Sequence, residues 1–462
     1  MTRKSSKSRD KVTYVANILR KHFGRIKPES LVASGQNFPV AARVDLQGAV
    51  EALFNNDYQA QLAGFHARWG GHQTITFSDL LGRDSYAPIL GPLLHDEVDI
   101  GEVLPARCLS KGIWLGQRDE TPFAFLLAPQ IEYGRAVGTH VEIAVPPTSE
   151  GTTLSRALLD AVDLLVKKTA SYRGKVISLQ TLDNYSGTGG AVRVHRLHQV
   201  SRDEVILPEK TLGLLERNVI EFVKQREQLK KLGMPVKKGL LFYGPPGTGK
   251  THTIHYLASR LSNHTTLLIT AEQVGLLDHY FQLARFLQPS MIVLEDVDLI
   301  ARSRDSMHSA CEESMLNKLL NEMDGLREDA AVLFVLTTNR PEHLEAALSS
   351  RPGRIDQAIE FPLPDEQGRA QLIRLYACGL QISDELISEI VERTKNASAA
   401  FIKELMRRSA QFHLRETRAK LSRDSVNSAL EEMLFSGGSL NLRLLGVQER
   451  AESAPKLGEA HA

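Results

Sequence analysis

The sequence has little cysteine, lacks long apolar runs and carries no excess of charge of either sign. Three cysteines, Cys108, Cys311 and Cys378, are scattered over its 462 residues, and none belongs to a Cys-x-x-Cys pair. This spacing argues against both a disulfide framework and a zinc knuckle, and it predicts a reducing, cytoplasmic location. No apolar run approaches the roughly 20 residues that a membrane-spanning helix needs, so we expect no membrane partner.

The formal net charge is +1, from 56 lysines and arginines against 55 aspartates and glutamates. Such a balance provides no bulk attraction to nucleic acid, so nucleic acid is a possible partner that the composition does not indicate. The sequence also lacks the His-Glu-x-x-His motif of zinc proteases and the Gly-x-Ser-x-Gly motif of hydrolases. The basic, serine-rich residues 1–11 lack the apolar segment of a secretory signal, and a frayed tail is favoured over an organelle transit peptide.

The pattern of apolar residues divides the chain into four parts. Residues 1–200 form a predicted mixed α+β domain, with helical periodicity over 46–69 and 153–168 and strand-like runs at 112–115, 123–127, 140–145, 175–179 and 191–194. From about residue 238 strands alternate with helices, which predicts a parallel sheet within a large α/β domain at 201–364. Residues 365–435 have a helical pattern, and residues 436–462 form a polar, flexible tail.

A glycine-rich motif follows the first strand of the α/β domain. Residues 244–251 read Gly-Pro-Pro-Gly-Thr-Gly-Lys-Thr and fit the phosphate-loop pattern between a strand and a helix. Glycines let backbone amides turn inward around phosphates, and the helix N-terminus adds a favourable dipole. We expect Lys250 to place its charge against the phosphates and the Thr251 hydroxyl to bind magnesium. The predicted nucleotide-binding residues are Gly244, Pro245, Pro246, Gly247, Thr248, Gly249, Lys250, Thr251 and His252.

A second strand predicts the carboxylates that such a loop requires. Four apolar residues, 291–294, precede Glu295, Asp296 and Asp298. Carboxylates at the C-terminal end of a buried strand lie where ligands bind in open α/β sheets. In P-loop ATPases of this kind, the usual order at this place is an aspartate that binds the metal followed by a glutamate that acts as the base. In this chain the glutamate comes first. The roles of metal ligand and base are assigned either by the position of each acid in the motif or by the length of its side chain. We favour position, with Glu295 towards magnesium and Asp296 towards the attacking water.

Two further segments carry candidate catalytic residues. A third strand-like run, residues 331–336, leads to Thr-Thr-Asn-Arg, and the amide of Asn339 is a candidate for holding the lytic water, although asparagine ends many strands. Farther along, Arg351 and Arg354 flank a Pro-Gly turn. Composition alone favours a solvated basic loop there, and the alternative is that the two arginines reach a phosphate bound by a neighbouring subunit.

Taken in order, these motifs resemble the AAA family of ATPases over residues 215–435. The resemblance places Glu295 and Asp296 on Walker B, Asn339 on sensor 1, and Arg351 and Arg354 on the paired arginine fingers. It implies a P-loop NTPase fold, in which a parallel sheet with helices on both faces is followed by a small helical lid. It also implies ATP and Mg²⁺ as cofactors, a homo-oligomeric ring that is usually a hexamer, and remodelling of a protein client chosen by the N-terminal domain.

Four features depart from the family pattern. The Walker B acids are inverted, and the run Leu-Glu-Asp-Val-Asp at residues 294–298 resembles that of the mitochondrial AAA translocase that assembles respiratory complex III. The sensor 2 segment reads Asn-Ala-Ser-Ala-Ala-Phe at residues 396–401, and Val-Ile-Leu-Pro at residues 205–208 replaces the usual Ile-Gly-Gly element. The segment 270–285 is short, retains only Val274-Gly275 of an aromatic pore loop, and places Tyr280-Phe281 in a predicted amphipathic helix.

The motifs therefore predict an ATP-hydrolysing machine that remodels a protein client. One alternative is an ATP-gated scaffold with slow turnover, which the inverted acids and the short pore segment motivate. The other is a DNA-associated loader or remodeller, which the basic start and the residues Arg193, His195, Arg196 and His198 motivate.

Overall fold

The structure is a computed structural model that describes residues 13–56, 58, 60–67, 73–82, 86–132, 134–169, 171–180, 192–298, 319, 321–343, 355–415 and 420–433. Its packing divides these residues into two compact units. The first takes those within 1–196, 262–292 and 330–332, and the second takes those within 197–261, 293–329 and 333–462. The boundary between the units falls within the strand at Ser290–Leu294.

The described residues contain 14 strands and 12 α-helices. The strands are β1 Val32–Pro39, β2 Gln61–His66, β3 Ile89–Gly91, β4 Leu94–Val98, β5 Ala106–Arg118, β6 Thr121–Glu132, β7 Arg135–Val145, β8 Val176–Leu179, β9 Val192–His195, β10 Lys238–Tyr243, β11 Thr265–Ile269, β12 Ser290–Leu294, β13 Val332–Thr338 and β14 Gln357–Glu360. The helices are α1 Val15–Phe23, α2 Arg43–Asn56, α3 Phe77–Leu80, α4 Ser149–Thr169, α5 Glu209–Leu215, α6 Phe222–Lys231, α7 Lys250–Arg260, α8 Leu277–Phe286, α9 Glu366–Ala377, α10 Asp384–Arg393, α11 Ala399–His413 and α12 Arg423–Glu431.

Short turns of other helix types join these elements. A π-helical turn at Glu216–Glu221 links α5 to α6. Segments of 3-10 helix lie at Pro28–Ser30, Val40–Ala42, Arg202–Glu204, Ala271–Leu276 and Pro341–His343. Among the described residues, no helix is both long enough and apolar enough to cross a lipid bilayer.

An antiparallel sheet forms the N-terminal part of the first unit. Its strand order is β1-β7-β6-β5-β2-β3, and β4 also pairs with β5. Side chains of β6 alternate between two cores: Phe123, Phe125 and Leu127 pack with α2 and α4, whereas Ala124 and Leu126 pack with α1. This two-residue period is what a strand buried on both faces requires. The sheet with its flanking helices confirms the predicted mixed α+β region.

The helix predicted over residues 46–69 is right only as far as Asn56, where α2 ends. Residues Gln61–His66 form strand β2 instead. Leu62 packs against the core that contains α2, and Ala63 and Phe65 pack against the core that contains α1. Neighbouring side chains therefore face opposite sides of the sheet, which a helix cannot provide.

The first unit also contains strands β8, β9 and β11. Strand β8 pairs in parallel with β11 and antiparallel with β9. The turn Ala271–Leu276 follows β11 and leads into α8, where Tyr280 and Phe281 are fully buried, as the amphipathic pattern predicted. Helix α8 in turn packs against β1, and its Phe286 lies against the core beneath the antiparallel sheet.

Parallel strands form the centre of the second unit. Strand β10 pairs in parallel with β13 on one side and with β14 on the other, with Tyr243 opposite Thr338 and Glu360. The ends of β10 and β13 therefore meet at one edge. Helices α9 to α12 follow and bury a separate core that includes Ile373, Ile390, Ile402, Leu405 and Met433. The parallel strands, the helical C-terminal region and the preceding α+β part confirm the predicted fold class.

The aromatic core of the first unit generates a stability prediction. The Phe125 side chain is fully buried, with its ring centroid 5.0 Å from Phe54 and 5.6 Å from Trp114. Because Phe125→Ala leaves a cavity among these rings, it should lower the free energy of unfolding by about 3–5 kcal/mol. Urea unfolding followed by tryptophan fluorescence measures this. Leu164→Ala on α4, where the side chain is 69% exposed, is the control and should change stability by less than about 0.5 kcal/mol.

Candidate functional site

The glycine loop lies between β10 and α7, and its shape depends on three glycines with positive φ. Gly244, Gly247 and Gly249 have φ of 144°, 75° and 98°. A Cβ at position 244 would lie 2.2 Å from the Phe361 carbonyl oxygen, and one at 247 would lie 2.9 Å from both Ala400 Cβ and Ser398 Oγ. Larger side chains are therefore excluded at these two positions by backbone conformation and by space.

Lys250 is the buried cation of this loop. Its side chain is 7% exposed, and its ammonium donates hydrogen bonds to the carbonyl oxygens of Gly244, at 2.8 Å, and Pro245, at 3.0 Å. Burial lowers the pKa of Lys250 to about 8, and the nearby carboxylates of Asp296 and Asp298 oppose that lowering. Because water screens this buried charge only weakly, the ammonium should attract an anion strongly.

Thr251 and Glu295 bring two oxygen donors together at the start of α7. The Thr251 hydroxyl donates a 2.9 Å hydrogen bond to Oε1 of Glu295, the residue that directly follows strand β12. Mg²⁺ takes oxygen ligands and is usually held by one or two protein groups together with phosphate oxygens and water. The hydroxyl and carboxylate oxygens of this pair fit that ligand set.

Asp296 has different partners from those of Glu295. Its Oδ1 accepts a 3.0 Å hydrogen bond from the Asn339 amide, and its backbone N–H donates to Thr337 Oγ1 at 3.0 Å. The backbone of Asp296 is left-handed, with φ of 51°, so the chain turns sharply after Glu295. The side chains of the two neighbouring acids therefore contact different residues: Glu295 lies beside Thr251, and Asp296 lies beside Asn339.

Sequence reasoning did not assign a role to Asp298. The structure buries it to 3% exposure, where its Oδ1 accepts hydrogen bonds from Thr338 Oγ1 at 3.0 Å and from the Asn339 backbone N–H at 3.2 Å. The available signal was a third acid two residues after Asp296, in a segment that had already left the strand.

The helical C-terminal region also contacts the loop. Ser398 caps α11 by accepting a hydrogen bond from the Phe401 backbone N–H, and the Ala400 backbone N–H donates to the Gly247 carbonyl oxygen at 3.1 Å. The departure from the family pattern at residues 396–401 therefore lies against the phosphate loop. The signal that could have placed it was a serine at a helix start.

Of the other predicted site residues, His252 contacts a neighbouring segment, and the two arginines lie outside the described residues. The His252 ring donates from Nε2 to the Glu204 carbonyl oxygen at 3.1 Å, which ties α7 to the segment before α5. Arg351 and Arg354 lie outside the described residues, so their role as arginine fingers stays a prediction.

The lowered pKa of Lys250 predicts a pH dependence of nucleotide affinity. Below pH 8 the ammonium is charged and attracts phosphate, whereas the free protein loses this proton as the pH rises through about 8. The dissociation constant for ADP should therefore rise above pH 8, approaching about tenfold per pH unit. Calorimetric titrations between pH 7 and pH 9.5 measure this. Lys250→Met is the control and should bind weakly without the step, and a wild-type affinity that stays constant over this range would contradict the prediction.

Comparison with known proteins identifies the family of one part of the chain. Residues 240–363 match the model for the ATPase family associated with various cellular activities (AAA). The 26S proteasome regulatory subunit 8 homolog of Schizosaccharomyces pombe is 32% identical over 52% of this chain and 64% of its own length. The proteasome-activating nucleotidase of Methanothermobacter thermautotrophicus is 32% identical over 48% of this chain and 59% of its own length.

A third relative matches more of the chain. The ATP-dependent zinc metalloprotease FtsH of a Synechococcus species is 28% identical over 78% of this chain and 58% of its own length. The chain thus spans about three fifths of the length of these curated relatives. Residues 240–363, which match the family model, contain the glycine loop, Glu295, Asp296 and Asn339. Residues 240–363 of this chain therefore form an ATPase domain of the AAA family.

Proposed function

We propose that the chain hydrolyses ATP at the site in its second unit and couples hydrolysis to remodelling of a protein client within an oligomeric ring. The observation that carries the proposal is the separation of the two acids. Glu295 contacts the Thr251 hydroxyl, and Asp296 contacts the Asn339 amide. Hydrolysis needs one acid to hold the metal and a second acid to activate water, both close to the lysine that binds the phosphates.

Each residue then has a task in the hydrolysis. The loop amides and Lys250 bind the phosphates, and Thr251 and Glu295 would hold magnesium. When bound, Mg²⁺ supplies positive charge that neutralises the β- and γ-phosphate oxygens. Asn339 and Asp296 orient a water molecule whose oxygen attacks the γ-phosphorus as the bond to the β-phosphate oxygen breaks. Asp296 accepts the proton that this water releases.

This assignment lets position rather than side-chain length decide the roles of the inverted acids. It is supported by the contacts of Glu295 and Asp296, since each acid has the partner that its place in the motif requires. The resemblance of this Glu-Asp order to the complex III assembly translocases further supports an active site that tolerates the inversion.

The oligomeric ring and the protein client rest on the relatives. Two of them are named as proteasome regulatory or proteasome-activating proteins, and a third is named as an ATP-dependent protease. Remodelling of a protein client is therefore the activity that we extend to this chain. A hexamer would allow Arg351 and Arg354 to act on the site of the adjacent subunit, and the cysteine content supports a cytoplasmic setting.

An ATP-gated scaffold is the second candidate, and a specific observation favours it. The turn after β11, where threading relatives are expected to carry a pore loop, is bound to strand β8. Gln273 Nε2 donates to the Leu179 carbonyl oxygen at 2.7 Å, and the Leu179 N–H donates to Tyr280 Oη at 2.8 Å. Tyr280 Oη also donates to Gln273 Oε1 at 3.0 Å. A turn held in this way argues against gripping an extended polypeptide at that position.

A DNA-associated loader has less support. Of the basic residues that motivate it, His195 shares a 2.7 Å hydrogen bond with Ser178 Oγ, and the Arg196 guanidinium donates to the carbonyl oxygens of Gly101 and Glu102. These side chains are engaged within the protein, which reduces their availability to phosphate groups.

Substitution of the two acids separates their roles. Asp296→Asn should bind ATP normally and lower kcat by about 10²–10⁴-fold, because the base is lost. Glu295→Gln should instead raise the Mg²⁺ concentration required for half-maximal rate. Phosphate release measured against ATP and Mg²⁺ concentration tests both. Glu97→Gln on β4 is the control and should match the wild type.

The same assay, run with light scattering over a range of protein concentrations, distinguishes motor from scaffold. A motor gives a wild-type rate that rises as the ring assembles. Assembly in ATP with slow turnover that Asp296→Asn leaves unchanged would favour the scaffold instead.

A further inference from the structure

We propose that Asp298 is a positioning residue for hydrolysis: its buried carboxylate holds the end of β13 so that the Asn339 amide meets Asp296. The inference rests on the proposed ATP hydrolysis and assigns a role to a residue that neither the motif nor the family comparison places in the reaction. Asp298 is not itself a catalytic group, because it acts through the position of Asn339.

The contacts of Asp298 converge on one oxygen. Oδ1 accepts from the Thr338 hydroxyl at 3.0 Å and from the Asn339 backbone N–H at 3.2 Å. Asp298 is 3% exposed and Thr338 is fully buried, so water does not compete for these bonds. The carboxylate therefore restrains both the last residue of β13 and the backbone of the residue that follows it.

Asp296 and Thr337 complete the connection. The Asp296 N–H donates to Thr337 Oγ1, and the Asn339 amide donates to Asp296 Oδ1, each at 3.0 Å. Residues 296–298 and 337–339 are thus joined by four hydrogen bonds, each of which uses at least one side-chain atom.

These side-chain bonds matter because the backbone ladder has ended. Strand β12 stops at Leu294 and β13 stops at Thr338, and the left-handed turn at Asp296 leaves the strand conformation altogether. Past these points the separation of Asp296 and Asn339 depends on side chains. A displacement of about 1 Å in such a constellation can lower a rate by about 100-fold.

A different role for Asp298 is also chemically reasonable. Its negative charge faces Lys250 and favours the protonated ammonium, against the effect of burial on that pKa. The two roles differ in what they require, since positioning needs an oxygen acceptor and charge support needs a carboxylate. Asparagine retains an acceptor and removes the charge, so it separates the two.

The test compares Asp298→Ala, Asp298→Asn and Thr338→Val in the full chain by steady-state ATP hydrolysis and ADP affinity. Asp298→Ala should lower kcat by about 10- to 100-fold while KM for ATP and ADP affinity change by less than about twofold. Asp298→Asn should recover most of that loss, because its amide oxygen can accept from both donors. Thr338→Val removes one of the two donors, together with the hydroxyl oxygen that accepts from the Arg340 backbone N–H at 3.0 Å, and should give an intermediate kcat.

The matched control is Asp45→Ala in the first unit. Asp45 is also 3% exposed, and its carboxylate accepts hydrogen bonds from the Ser171 backbone N–H and hydroxyl. Its loss should lower the unfolding temperature without changing kcat per folded molecule. If Asp298→Ala fails to fold, Thr338→Val carries the test, and a lowered kcat at unchanged ADP affinity supports the proposal.

Three results would overturn it. Wild-type kcat in Asp298→Ala removes the positioning role and leaves the proposed hydrolysis intact. Equal damage in the asparagine and alanine variants, with weaker ADP binding in both, assigns Asp298 to charge support of Lys250. Absence of hydrolysis in the wild type removes the proposed function and this inference together.

Discussion

The burial of one ammonium group organises the site. Lys250 is almost fully removed from water and donates to two carbonyl oxygens of its own loop. Its charge is tolerated because these carbonyls and the nearby carboxylate of Asp296 offset the loss of hydration. The loop can wrap the side chain only because glycines adopt positive φ at three points. A phosphate-bearing ligand would supply the negative charge that this arrangement lacks.

The parallel strands near this cation determine how close together the site residues at their ends lie. Strands β10 and β13 run in register, so the residues that follow Tyr243 and Thr338 leave the sheet at the same edge. Residues from the end of β12 meet them there through side-chain contacts of Thr251, Asn339 and Thr338. The inversion of the two acids is accommodated by a left-handed turn at Asp296, which directs its shorter side chain to Asn339 while Glu295 extends to Thr251.

The first unit has a different physical character. Its antiparallel sheet is buried on both faces, with a cluster of aromatic rings on one side and a mixture of aliphatic, alanine and phenylalanine side chains on the other. The turn after β11 is held by Gln273 and Tyr280 against β8, and α8 packs on β1. The short segment that takes the place of the family's pore loop is thus held in a network of hydrogen bonds. For the proposed remodelling of a protein client, this turn argues against threading of the client at that place.

Local pattern was enough to predict much of this protein. The phosphate loop, the acid-ended strand and the helical C-terminal region each carry a signal within a few consecutive residues, because strand period, glycine spacing and helix period are local properties. Helix α4 and strands β5 to β7 were predicted for the same reason. The prediction over residues 46–69 was wrong beyond Asn56, because Leu62, Ala63 and Phe65 pack on opposite faces of a sheet whose other strands lie far along the chain.

The tertiary structure decided the pairings. Asp298 with Thr338, Asp296 with Asn339, and Ala400 with Gly247 are separated by at least 40 residues in sequence. No local periodicity encodes which acid meets which donor, since that depends on strand order and on where each strand ends. The sequence by itself therefore determined the chemistry that is present and the elements that carry it. Only the folded chain determined which groups share an edge of the sheet, because burial and hydrogen-bond geometry are set there between residues far apart in the chain.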